Sequence, residues 1–281
     1  MSGKLNRTVT GRGRRWWAAL LALAAVLGMT LVGVTPAGAA VQTAARATQV
    51  EVEGLDLFLD TQNGTDWVAA ANSGRRFVYA IATVGADGDG FTAGFATKTA
   101  GAREAGMFVG AYHMANPAAL HPTARLAATQ ANFFVDNGGA WSAATQTLPG
   151  ALMLGPDPNF QETCSFLTQS EMVAWIREFV DTYRARTGRN PVIATSRSWW
   201  EQCTGGSRAF GSLPLWTNVN TSGPVPVLPD GWRSYTFLLY DRGPVPGVDG
   251  TRACETCEHE VSLDRFNGSE AQLLAFANNT Q

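Results

Sequence analysis

Cysteine is scarce in this chain: four residues, Cys164, Cys203, Cys254 and Cys257, all beyond the first forty positions. A structural zinc site usually takes four ligands with a second close pair. The stretch Cys254-Glu-Thr-Cys257-Glu-His259 offers only one close pair, which argues against a metal clip, and no metal or cofactor is expected. No glycine-rich phosphate loop follows the first strand-like run, so nothing supports a nucleotide site. Internal repeats and long low-complexity linkers are absent as well. Positive charge is not in excess: the formal net charge is −2. Without the first forty residues, which carry five positive charges and no negative ones, it becomes −7. Such a chain is a poor partner for nucleic acid, whose binding leans on Lys and Arg. It is also not drawn electrostatically to anionic wall polymers.

The first forty residues read as an address. Lys4, Arg7, Arg12, Arg14 and Arg15 form a basic start, an apolar run extends from Trp16 to Val34, and Ala37-Gly38-Ala39 is a small-residue cleavage signal. The alternative is an uncleaved anchor, because the apolar run approaches the ~18 residues that can span a bilayer. The expected division is a signal peptide over 1–40 and one domain over 41–281, secreted or wall-associated, monomeric and free of the membrane after cleavage. Export makes disulfides the default for the four cysteines. Three pairings are open, and the local one, Cys164–Cys203 with Cys254–Cys257, is preferred.

Short apolar runs alternate with helical patterns along the rest. Strand-like runs cover Glu53–Leu59, Phe77–Thr83, Met107–Tyr112, Gly150–Leu154, Pro191–Thr195, Leu213–Trp216 and Tyr235–Tyr240. Helical spacing is clearest from Gln169 to Thr187, where Met172, Trp175, Ile176, Phe179, Val180 and Tyr183 recur every three or four residues. Thr168 with Glu171 reads as a capping box and Gly188 as the stop. Further helices are predicted over Pro122–Val135, Phe91–Ala105 and Ser269–Asn278. Strands separated by helices, apolar throughout, imply a mainly parallel sheet buried on both faces. A closed α/β barrel fits the length; an open doubly wound sheet is the alternative.

Several segments carry a joint resemblance. They are Gly54-Leu55-Asp56-Leu57, Phe77-Val78-Tyr79, Gly110-Ala111-Tyr112-His113 with Asn116-Pro117, and Leu148-Pro149-Gly150-Ala151-Leu152. Thr187-Gly188-Arg189-Asn190-Pro191-Val192-Ile193 follows, then Trp199-Trp200, Pro214-Leu215-Trp216, Gly231-Trp232, Tyr235-Thr236-Phe237 and Arg265-Phe266-Asn267-Gly268. In order and spacing, from Gly54 to Gly268, these resemble the glycoside hydrolase family 25 lysozymes, secreted N-acetylmuramidases that cut peptidoglycan. The resemblance implies a single-domain, irregular TIM-like β/α barrel with its groove at the C-terminal strand ends. It implies peptidoglycan or a related glycan as partner. Cys164 and Cys203 also sit where some secreted members carry a disulfide.

The chemistry of that family rests on carboxylates, notably Leu-Asp-x-Glu in the fourth strand. Alternate residues of a strand point the same way, so both acids face the groove; one must donate a proton to the glycosidic oxygen. Here the stretch reads Leu152-Met153-Leu154-Gly155, and neither Met153 nor Gly155 can donate. Other groove positions change alike. Lys-Ala-Thr-Glu becomes Ile81-Ala82-Thr83-Val84, and Phe58 and Leu59 replace Ser and His. Trp-Gln-Tyr becomes Leu238-Leu239-Tyr240, Val-Asp-Leu-Asn becomes Val261-Ser262-Leu263-Asp264, and a strand-end Tyr becomes Ala194. Scaffold residues persist while polar groove residues turn apolar or small. A pseudoenzyme is the expectation, with an active hydrolase on relocated acids as the alternative.

The candidate residues follow from that pattern. Asp56 stands at a retained family position, either as a groove residue or as a satisfied strand-end carboxylate. Asp157 and Asp264 are possible substitute acids, although prolines on both sides fix the direction of Asp157 and Asp264 is displaced by two residues from Ser262. Tyr112 and His113 are candidate substrate contacts; a histidine there is as often held by local hydrogen bonds. Trp216 and Tyr240 stack on sugar or pack in the core.

Overall fold

The computed structural model describes residues 51–57, 65–86, 91–92, 94–118, 123, 125–155, 163–218, 226–248 and 261–280. Strands β1 (Val52–Leu57), β2 (Phe77–Val84), β4 (Phe108–Met114), β5 (Ala151–Leu154), β6 (Val192–Thr195), β7 (Leu215–Asn218), β8 (Phe237–Gly243) and β9 (Val261–Phe266) close into a ring. β1, β2 and β4 to β8 run parallel in succession, and β9 closes the ring antiparallel to both β8 and β1. The short β3 (Phe91–Thr92) pairs antiparallel with β2. The fold is therefore a single-domain α/β barrel with one reversed strand, not an open doubly wound sheet. Around it lie α1 (Trp67–Asn72), α2 (Phe95–Glu104), α3 (Ala127–Phe134), α4 (Gln169–Thr187), α5 (Arg197–Thr204) and α6 (Glu270–Asn278).

The alternation of each strand builds two apolar layers. Inward residues Phe77, Tyr79, Ile81, Tyr112, Trp216, Phe237 and Phe266 fill the lumen. Outward residues such as Val78, Ala80, Val109 and Ile193 pack under the helices with Ile176, Phe179 and Tyr183 of α4. The lumen balances large against small. A Cβ on Gly54 would stand 2.5 Å from the Phe77 ring, and one on Gly110 would run into Tyr79. Two glycines thus make room for two aromatic rings.

α4 begins and ends as its sequence predicts. Thr168 and Glu171 form a reciprocal capping box, and Gly188 takes φ 71° at the stop. Ser269 and Gln272 cap α6 in the same way. Two predicted starts move. Phe91–Thr92 join the sheet, so α2 starts at Phe95, and the helix expected from Pro122 starts at Ala127. α1, α5 and β9 were absent from the sequence expectation. Cys164 and Cys203 are bridged, with Cα atoms 5.3 Å apart, tying the segment before α4 to α5. Cys254 and Cys257 lie outside the described residues, as does Asp157. Among the described residues no helix is long and apolar enough to cross a membrane.

Candidate functional site

At the C-terminal ends of the parallel strands a cavity of about 360 Å³ opens. Its wall is Met153, Leu154 and Gly155 of the β5 end, Ala194 to Ser196 of the β6 end, Trp216 to Asn218 of β7, and Leu239 and Arg242 of β8. A small-molecule site commonly falls in this size range. Among the described residues no carboxylate lines it. Among the described residues no atom lies within 4 Å of the place a Cβ on Gly155 would occupy. A second cavity, about 490 Å³, lies at the opposite end of the barrel beneath Trp232, Tyr235 and Phe276.

Two carboxyls sit in the barrel wall below the groove. Antiparallel pairing sets Asp56 of β1 opposite Ser262 of β9, and Gly54 opposite Asp264. Directly opposed residues share a face, and residues two apart on a strand do too. Asp56, Ser262 and Asp264 therefore all point inward. The two-residue displacement of Asp264 does not carry it away from the site; it brings it diagonally beside Asp56. Asp264 is fully buried and Asp56 is 9% exposed. Trp216 Nε1 donates to Asp264 Oδ1 at 2.8 Å.

Burial raises both acids. Desolvation pushes Asp56 up to about 6, against hydrogen bonds from Asp264 and Ser262 and the charge of Arg242. Asp264 rises well above the usual carboxylate range, through desolvation first, then repulsion from Asp56 and hydrogen bonding to it. The Oδ2 atoms of both residues have no donor among the described residues. Burial therefore favours the protonated form of Asp264 over its carboxylate.

A bulge in β8 completes the row. Pairing runs Leu239 to Asp264, then skips Tyr240, then sets Asp241 opposite Leu263 and Arg242 opposite Ser262. Strict alternation from Leu239 would turn Arg242 outward. The extra residue reverses the phase, so Arg242, Ser262 and Asp56 form one row across three strands, and Arg242 reaches the cavity.

Two candidate residues need correction. His113 is not in the groove. It occupies the outer face of β4, stacked on Phe179 at 5.4 Å. Thr83 Oγ1 lies 2.8 Å from its Nδ1, and Gln130 Oε1 3.0 Å from its Nε2. Gln130 Nε2 donates to the Asn116 carbonyl, which leaves Oε1 as the acceptor and assigns the proton to His113 Nε2. Burial lowers His113 to about 4. Tyr240, the bulged residue, also faces outward, its ring 3.8 Å from the Arg265 guanidinium carbon. Trp216 lines the cavity, but it is 3% exposed and its N–H is spent on Asp264. Tyr112 faces the lumen and donates to the Leu57 carbonyl at 3.1 Å. Sequence reasoning missed Arg242, since it belongs to no catalytic motif and the bulge is not written in local spacing.

The sequence profile of the glycosyl hydrolases family 25 matches residues 59–248. This chain belongs to glycoside hydrolase family 25. It is 37% identical to "Lysozyme M1" of Streptomyces globisporus over 233 residues, 82% of this chain and 72% of that protein. It is 38% identical to an "N,O-diacetylmuramidase" of Arthroderma benhamiae over 247 residues, covering 86% and 94% respectively. Among solved structures, the bacterial lysozyme from Streptomyces coelicolor superposes with TM-score 0.72 at 35% identity, covering 82% of this chain and 98% of that one. The muramidase from Acremonium alcalophilum gives 0.68 at 40%, covering 81% and 99%. Family 25 membership accounts for the closed barrel with one reversed strand and makes the cavity at the strand ends the place to look for function.

Proposed function

We propose that this member of family 25 is an exported binder of peptidoglycan glycan that has lost hydrolase activity or keeps a small remnant of it. The observation carrying this reading is the cavity wall, where Met153 and Gly155 occupy the β5 end and no carboxylate is present among the described residues. Glycosidic cleavage needs a proton donor in reach of the bridging oxygen. Asp264 is a poor replacement, because it lies fully buried. Asp56 becomes a positioning and binding group, not an acid catalyst. The names of the relatives, lysozyme and muramidase, supply the ligand class.

Export is supported by the basic, apolar and small-residue order of residues 1–40 and by the Cys164–Cys203 bridge, which suits an oxidising compartment. The mature chain, 41–281, would act as one monomeric domain with no cofactor, no nucleic-acid partner and no membrane anchor. Co-sedimentation with insoluble peptidoglycan, with reducing ends measured in the supernatant, tests the reading. Retention on the polymer without release of reducing ends is the expected result; release without retention would overturn it.

A further inference from the structure

The chain carries six methionines, of which Met1 and Met29 fall within the first forty residues. The other four divide by exposure. Met107, just before β4, is 1% exposed, and Met172 of α4 is fully buried. Met114 and Met153 are both partly exposed. They are also neighbours. Parallel pairing sets Met114, the last residue of β4, opposite Met153 of β5, and adjacent strands stand about 4.8 Å apart. Alternation gives Met114 the face of Tyr112 and Met153 the face of Ala151. Both side chains therefore pack on the lumen layer, together with Val84 of β2, which pairs with Met114. Met153 also lines the cavity at the strand ends. Two thioethers thus stand side by side at the mouth of the cavity, while the other two are sealed in the core. Thioether sulfur is soft and adaptable, a common contact at binding surfaces, and it is also readily oxidised.

We propose that Met114 and Met153 form a reversible oxidation site, at which hydrogen peroxide converts the thioethers to sulfoxides and lowers the affinity of the cavity for glycan. The effect on affinity rests on the glycan-binding reading above; the site itself does not. In the step, a sulfur lone pair attacks one peroxide oxygen and the O–O bond breaks. That oxygen stays on sulfur, its proton passes to the departing hydroxide, and water leaves. Sulfur gives up an electron pair and peroxide is reduced by it. A sulfoxide makes a flexible apolar side chain polar and chiral. Its oxygen is hydrated when the cavity is empty, and an apolar ligand face laid against it removes that water without return. Methionine sulfoxide reductases reverse the change.

Brief treatment of the mature chain with hydrogen peroxide, followed by peptide mass mapping, reads the site. Met114 and Met153 should gain oxygen at least about tenfold faster than Met107 and Met172, because access sets the rate. Unfolding in urea before the oxidant is added should abolish the difference. Co-sedimentation with insoluble peptidoglycan then compares oxidised and untreated protein. Oxidation should weaken retention about tenfold, the order for one new polar group stripped of water, and methionine sulfoxide reductases should restore it. The double variant Met114→Leu, Met153→Leu, a near match in volume, should be retained equally before and after peroxide. Equal oxidation of all four methionines, or oxidation of Met107 and Met172 first, overturns the site. Selective oxidation that leaves retention unchanged, or an equal loss in the double variant, overturns its control of the cavity. Selective oxidation in a chain that binds no peptidoglycan even untreated upholds the site and overturns the glycan-binding reading beneath it.

Discussion

Asp264 of β9 stands diagonally beside Asp56 of β1 inside the barrel, and each carries a buried Oδ2 with no hydrogen-bond partner among the described residues. Burial raises both acids, and this sets how the barrel responds to pH. Asp56 has a raised value of about 6 in the folded protein, against about 3.9 when unfolded. The folded state therefore binds more protons than the unfolded one between these values. Its stabilising contribution is complete below about pH 4 and is lost as pH rises through 6, an effect of order 3 kcal/mol. His113 works in the opposite direction. Its value is lowered to about 4, so its contribution is complete above about 6.5 and is lost as pH falls toward 4, again of order 3 kcal/mol.

The two variants Asp56→Asn and His113→Gln separate these effects. Asp56→Asn removes the acid contribution and should lose stability more steeply than the unaltered protein as pH falls from 6.5 to 4. His113→Gln should gain stability over the same interval relative to the unaltered protein. Urea unfolding at pH 4.5, 5.5 and 7 reads both slopes. Parallel curves for all three proteins would show that neither group is buried as described.

The lumen should resist the smallest enlargement. Gly54→Ala and Gly110→Ala each place a methyl group against a ring, Phe77 or Tyr79, and should cost about 1–3 kcal/mol by overpacking. Gly155→Ala meets no atom of the described residues within 4 Å and should change stability by less than about 0.5 kcal/mol. Thermal melts of the three variants check the contrast.

Much of the architecture was legible because parallel strands buried on two faces have to be apolar. Phe77-Val78-Tyr79-Ala80-Ile81-Ala82 announces β2 without help from any partner. β9 escaped for the opposite reason. Its run Val261-Ser262-Leu263-Asp264-Arg265-Phe266 places an acid where a lumen residue belongs, and only the register with β1 explains why an aspartate lies there. The alternation rule alone forbids Tyr112 and His113 from sharing a face, so one of the two was bound to leave the groove. Arg242 was illegible because a bulge is decided by the pairing of β8 with β9 and not by the spacing of residues along β8.

Cys164–Cys203 joins the segment before α4 to α5, and its removal should destabilise the fold by roughly 2–5 kcal/mol. The proposed Cys254–Cys257 bridge would close a very short loop, so its loss should matter far less. Melts of the two double Cys→Ala variants compare them, and equal losses would contradict the local pairing. Intact mass of the exported protein should correspond to a chain starting near Ala40 or Val41 with no free thiol.

The central claim is that the barrel persists while its catalytic acids are gone, and turnover of peptidoglycan measures it most directly. Release of reducing ends by the mature chain should be absent, or lower by several orders of magnitude than for an intact family member, since a placed general acid alone contributes about 10²–10⁴ in rate. The double variant Met153→Asp, Gly155→Glu should remain folded, because no described residue crowds position 155, and should gain measurable activity. Robust turnover by the unaltered chain that vanishes in Asp56→Asn or Asp157→Asn would contradict the account and show that the acids had moved and the enzyme survived.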